Sequence, residues 1–270
     1  MHHPLLHSFA FAGALLFSLP SQALVDGIAS TDFLHLGTVG AGGLDGVLIA
    51  PNWVLTAAHV AGSATTFQSG YGSAAVDAAY RAPGAAFPSN DIALLHLATP
   101  IAADLFPTLA SVALSSGDAS AYGAVTAAVA GSGGQFYAWS VLTGAIDSAE
   151  SDNGATLTVH YLAVAAAANG SALLQGGDSG SALFAGQAED SAALLLGIAS
   201  ATGNATSYYV QPAAYREWMD ATMAASGQHA LWSAAPVPEP GTIALWLAGL
   251  ACVAGARRRT PPVVHLDHPV

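Results

Sequence analysis

The sequence predicts an all-β body made of many short strands, closed by one C-terminal helix and followed by a separate apolar segment. Three observations carry that expectation. Between residues 24 and 211, short apolar runs rich in Gly, Ala, Ser, Thr and Val are interrupted by turn residues, which is the pattern of successive short strands. After Pro212, Tyr215, Trp218, Met219 and Met223 recur at helical spacing, and proline suits a first helical turn. Further on, Gly241 to Ala256 contains no charged residue.

At the N-terminus, an apolar stretch from Phe9 to Leu19 precedes Pro20 and Ser21-Gln22-Ala23. The small residues at Ser21 and Ala23 suit signal peptidase, so residues 1–23 are expected to be a signal peptide. Its first residues depart from the usual pattern, with His2, His3 and His7 in place of Lys or Arg. Within the body, strands are expected at Gly46–Ala50 before the turn at Pro51-Asn52, at Ile92–Leu97 before Pro100, and at Ala193–Ala199 before Gly203-Asn204. For some alanine-rich pieces, periodicity alone leaves helix and strand open.

Residues 233–240 contain three prolines and read as a linker. The apolar run 241–256 that follows is sixteen residues long, about 24 Å as a helix and a little short of a typical hydrocarbon core. The linker before it and Arg257-Arg258-Arg259 behind it favour a membrane segment with a cytoplasmic basic flank over a buried helix.

The chain of 270 residues is 53% hydrophobic, enough to build a substantial core. It has no lysine, its formal net charge is −12, and three of its five arginines are clustered at 257–259. Phosphate backbones would be repelled by the acidic body, which excludes nucleic acid as a partner. Cys252 is the single cysteine and lies in the apolar tail, so the body must be stable without a disulfide. No metal-binding cluster, phosphate loop or cofactor motif is present in the sequence, and none is expected to be needed.

Chemistry concentrates at Gly177-Asp178-Ser179-Gly180. Glycines permit a tight turn that exposes a serine hydroxyl and aims backbone N–H groups at one point. Serine is a weak nucleophile unless a base lies within reach and a third group orients that base. Of His35, His59, His96, His160 and His229, the sequence favours His59, because Trp53-Val54-Leu55-Thr56-Ala57-Ala58-His59 puts it at the end of an apolar strand. Asp91-Ile92-Ala93-Leu94 supplies a carboxylate at the head of another.

These three segments, in this order, resemble the trypsin-like serine proteases, and the run ending at His59 matches that family's histidine motif letter for letter. The resemblance extends to Val129-Ala130-Gly131, Gly197-Ile198-Ala199-Ser200 and the segment Tyr209–Met219, covering most of residues 24–223. It implies a chymotrypsin-like fold of two antiparallel β-barrels, about 24–110 and 120–211, closed by a helix over 212–223 within a protease domain of residues 24–232. The catalytic triad would be His59, Asp91 and Ser179, with the backbone N–H groups of Gly177 and Ser179 as the oxyanion hole. Ser200 would lie beside Asp91 and the substrate, Leu173 at the base of the primary pocket and Thr202 at its entrance. Signal cleavage would free the amino group of Leu24 to pair with Asp178. Val60 and Gln175 stand where vertebrate members usually place half-cystines, Ser181 where many have glycine, and Ser132 where tryptophan is common.

The α/β-hydrolase elbow is disfavoured, because Ser181 occupies its final glycine position and His59 precedes the serine. The remaining alternative is a catalytically inactive protease-fold binding module in the extracellular matrix.

Val237-Pro238-Glu239-Pro240, the apolar run and the three arginines together resemble the PEP-CTERM sorting signal of Gram-negative bacteria. That resemblance implies transient anchoring in the inner membrane through residues 241–256, processing by an exosortase, and delivery to the periplasm, cell surface or extracellular space. The tail at 260–270 is longer than the usual end of such signals.

Overall fold

The structure is a computed structural model. It describes residues 24–121, 123–131, 134–150, 154, 156–166 and 172–233. The signal peptide, Ser132, residues 234–240 of the linker, the apolar run 241–256 and the tail 260–270 lie outside these residues.

Among the described residues, fifteen strands frame the body. A short β1 (Ile28–Ser30) precedes β2 (Leu36–Val39), β3 (Leu44–Ala50), β4 (Trp53–Thr56), β5 (Thr66–Ser69), β6 (Gly72–Arg81) and β7 (Ala93–Leu97). The last six close into a barrel in the order β2-β3-β4-β7-β6-β5. Then follow β8 (Thr108–Ala110), a one-turn helix α1 (Ser116–Ala121), β9 (Ala124–Val129), β10 (Gln135–Glu150), β11 (Thr156–Ala165), β12 (Ala182–Ala185), β13 (Leu195–Gly203) and β14 (Thr206–Val210). Strand β12 pairs with both β9 and β13, so β12-β9-β10-β11-β14-β13 also runs in a closed circuit. Closure leaves neither barrel with a long unpaired edge.

The expected strands at 46–50, 92–97 and 193–199 appear as β3, β7 and β13. Strand β13 continues to Gly203, because Asn204 and Ala205 adopt positive φ and turn the chain into β14. The barrel boundary differs from the expected 24–110. Strand β1 pairs with β10 and β8 pairs with β13, so both the start of the body and residues 108–110 are built onto the second sheet.

Past Pro212, a 3-10 turn (Pro212–Tyr215) leads into α2 (Arg216–Ala224). Tyr215, Met219 and Met223 are buried and Trp218 packs against the same cluster, as the helical spacing predicted. Below the helix, Trp53 Nε1 donates to Ser226 Oγ at 2.9 Å and Gln228 Nε2 donates to Asn52 Oδ1 at 2.8 Å, tying this end of the chain to the first barrel. A final strand, β15 (Leu231–Ser233), pairs with β8.

One core cluster spans the seam between the barrels, joining Leu55, Ile92 and Leu94 to Tyr161, Phe184, Ile198 and Met219. Val60 is fully buried in the first barrel's cluster with Leu48, Phe67 and Leu95. Burying such a side chain contributes roughly 1.5–3 kcal/mol, which overlaps the lower part of the ~2–5 kcal/mol lost with a native disulfide. Apolar packing therefore substitutes for a crosslink at Val60.

Candidate active site

Strand β4 consists wholly of buried residues, and its apolar run carries the chain to His59 at the barrel rim. There the imidazole is partly open while the Asp91 side chain is fully enclosed. His59 Nδ1 donates to Asp91 Oδ2 at 2.8 Å, and the His59 backbone N–H donates to Asp91 Oδ1 at 2.9 Å. Ser200, from β13 of the other barrel, donates its hydroxyl to Asp91 Oδ2 at 2.6 Å. The carboxylate thus holds the imidazole through Nδ1 and leaves Nε2 without a hydrogen-bond partner among the described residues, the arrangement a general base requires.

The nucleophile loop comes from the second barrel. Gly177 (φ +110°) and Gly180 (φ +89°) take backbone conformations that L side chains rarely adopt. Glycine is required at 180 for a second reason, since a Cβ there would run into the Asp45 carbonyl oxygen and the Thr56 hydroxyl. That close approach lets the Asp45 N–H donate to the Ser179 carbonyl at 2.8 Å and bolts the serine to the first barrel. Among the described residues, neither the N–H of Gly177 nor that of Ser179 donates to protein, so both remain available to an oxyanion. Ser179 Oγ likewise makes no hydrogen bond among the described residues, and the serine–histidine link is unmade. Such contacts are often loose without substrate.

Behind the loop, Asp178 is buried. Its Oδ2 accepts the Gln175 N–H at 2.7 Å and the Leu24 N–H at 3.2 Å. Burial raises its pKa to about 6, opposed by those two N–H groups. Leu24 is itself buried, and Val25 N–H donates to Leu173 O at 3.2 Å. The start of the body is therefore threaded between the segment at Leu173 and the loop that carries Ser179. Leu173 is half-buried, whereas Thr202 is exposed near the β13–β14 turn, its hydroxyl donating to Thr206 O at 3.2 Å. No hydrogen bond joins Leu173 to Thr202 among the described residues.

Two residues beside the site escape sequence reasoning. Asp45 is fully buried, accepts the Ala130 N–H at 2.8 Å, and has its carboxyl pushed well above the usual range by burial. A single acid inside the apolar run 44–50 was the available signal. Tyr161 on β11 touches Ser200 and Pro88 through its hydroxyl, both at 2.9 Å. Nothing in its local sequence marks it.

The trypsin family profile matches residues 36–219, and the PEP-CTERM protein-sorting motif matches residues 236–259. No curated protein matches. Among solved structures, an inactivated protease paralogue of the scabies mite is 16% identical with a TM-score of 0.54, the alignment covering 71% of this chain and 95% of the other. A kallikrein-related peptidase 10 complex with Zn2+ is 19% identical with a TM-score of 0.53, covering 73% and 99%. Identities this low speak to the fold alone.

Proposed function

We propose, for a chain that belongs to the trypsin family and carries a PEP-CTERM sorting motif, that it is an exported serine endopeptidase acting through an acyl-enzyme. The observation that carries this reading is the enclosed Asp91 carboxylate orienting His59 at 2.8 Å, beside a serine loop anchored to the same barrel. Ser179 attacks the scissile carbonyl while His59 Nε2 takes its proton. The imidazolium so formed is stabilised by Asp91 and returns the proton to the leaving amine, and water then repeats the sequence to release the acid. The N–H groups of Gly177 and Ser179 receive the developing oxyanion. No cofactor takes part.

The substrates are proteins or peptides. With Leu173 rather than a carboxylate at the pocket base and Thr202 at its mouth, the pocket favours small or medium apolar side chains. A buried Arg or Lys would be left without a partner there. The sorting motif marks the protein for export to the cell envelope or surface. We assign residues 1–23 to signal peptidase, 24–232 to the protease domain, 241–256 to transient insertion in the inner membrane, and the tail to an exosortase.

The rival reading, an inactive binding module, draws on the unmade link at Ser179 Oγ and on the inactivated paralogue among the structural neighbours. Hydrolysis of an unfolded protein substrate by the exported chain separates the two. The parent is expected to cleave it, and Ser179→Ala and His59→Ala to abolish cleavage while keeping the parent's circular dichroism. Absence of cleavage by the parent, or substantial activity in Ser179→Ala with unchanged sensitivity to serine-directed inhibitors, would contradict the proposal.

A further inference from the structure

The hydroxyls around Asp91 have more contacts than hydrogens. Ser200 Oγ lies 2.6 Å from Asp91 Oδ2, Tyr161 Oη lies 2.9 Å from Ser200 Oγ, and Tyr161 Oη lies 2.9 Å from Pro88 O. Asp91 and the Pro88 carbonyl are acceptors only, so Ser200 must spend its one hydrogen on Asp91. Tyr161 is then the only donor for both remaining contacts, its hydrogen shared between Ser200 and Pro88. Tyr161 is buried to 2% exposure, against Tyr208 at 5.8 Å between ring centroids. Burial and the nearby Asp91 charge push its phenol above its ordinary pKa. The proton therefore stays on Tyr161 across the working range of the enzyme.

We propose that Tyr161 is a positioning residue for the catalytic pair: by donating to Ser200 it makes that serine a stronger, better-aimed donor to Asp91, and through Asp91 it tunes His59. Chains of hydrogen bonds polarise one another in a low-dielectric site. A better donor at Asp91 Oδ2 reduces the basicity of the carboxylate and hence of the imidazole it holds. The same hydroxyl also reaches Pro88, next to Phe87, whose ring stands 5.1 Å edge-on from His59. One side chain of the second barrel thus meets both the serine that donates to Asp91 and the backbone beside the ring that packs on His59. Other ionisable groups facing this network are Tyr208 and Tyr215. Tyr215 donates to Asn90 Oδ1 at 3.0 Å, immediately before Asp91.

The inference rests on the proposed protease reading for its kinetic arm. Tyr161→Phe keeps the buried ring and removes only the hydroxyl, so the fold is expected to persist. Losing one such bond corresponds to a fall in kcat of about 3- to 10-fold, with KM within about twofold. The acid limb of the kcat/KM profile should move to higher pH, because Asp91 becomes the stronger base. In a Ser200→Ala background, Tyr161→Phe should change neither quantity further. A parent-like kcat and pH profile for Tyr161→Phe, or an equal effect with and without Ser200, would overturn the relay. A second arm is independent of turnover: the low-field NMR signal of the His59 Nδ1–H proton in parent and Tyr161→Phe. An upward move in the pH at which that signal titrates supports the relay, and an unchanged titration refutes it. If the parent failed to hydrolyse peptides, the protease reading would fall while this arm still decided the role of Tyr161.

Discussion

The two halves of the site are finished to different degrees. In the first barrel, both oxygens of Asp91 are engaged and His59 is held through its ring and its backbone. In the second barrel, Asp178 Oδ1, Ser181 Oγ and Tyr209 Oη are buried without hydrogen-bond partners among the described residues, as is Asp45 Oδ1 of the first, and the Asp178 carboxylate meets only amide donors. Buried polar groups in that condition are costly. The base is preset by hydrogen bonds from both barrels, whereas the loop before Ser179 holds a buried carboxylate that a positive charge would satisfy. Cleavage after Ala23 would supply it by turning the Leu24 N–H, already 3.2 Å from Asp178, into an ammonium.

The largest effect should come from breaking the finished half. Asp91→Asn leaves the shape intact but presents the wrong hydrogen-bonding face to His59. The chymotrypsin precedent for this change is a loss of about 10^4-fold in kcat. A stopped assay at neutral pH checks it, and a loss below about tenfold would mean that Asp91 does not orient the base.

The unfinished half gives the next effect. Protein carrying one extra residue before Leu24, and separately Asp178→Asn, should each lose about 10^2-fold or more in kcat through a misplaced oxyanion loop. Protein beginning at Leu24 should not. Equal activity with and without the extra residue would remove the switch from this account. The pH dependence has a definite sign. In the uncut chain the Asp178 pKa is raised from 3.8 to about 6, so the stability linked to this group is greatest below pH 4 and is lost as pH rises through about 6. An ammonium at Leu24 favours the ionised form and should abolish that loss. Melting temperature against pH, cut versus uncut, tests it.

How far the sequence foretold this difference depends on where its causes lie. The pairing of His59 with Asp91 was legible because each stands in a contiguous motif, and the closing helix because its spacing is regular. Asp45, Tyr161 and the docking of Gly180 against the first barrel were not, because each acts across the seam on residues more than 70 positions away. The placement of β1 and β8 on the second sheet escaped notice for the same reason, as three-residue strands carry no periodicity of their own.

A smaller effect concerns His35, buried beside Tyr71 and Phe106. Its ring meets Ser191 Oγ at 2.7 Å and Leu105 O, so the neutral form donates from Nε2 and accepts at Nδ1. Burial lowers its pKa, opposed by the Leu105 contact. Its contribution is complete above the unfolded value near 6.5 and is lost as pH falls below it. Melting should drop by a few degrees between neutral pH and pH 5, and less in His35→Gln. A His35→Gln curve with the same drop as the parent's would contradict the assignment. Smaller still is the specificity expected of Leu173: a peptide library should show cleavage after apolar residues, and a profile dominated by Arg or Lys would refute it.

The most direct test of the catalytic centre is covalent labelling of protein beginning at Leu24 with a fluorophosphonate, read by peptide mass spectrometry beside Ser179→Ala. The account predicts one adduct, on Ser179, and none on the variant. An unlabelled parent, or an adduct that persists in Ser179→Ala, would contradict it.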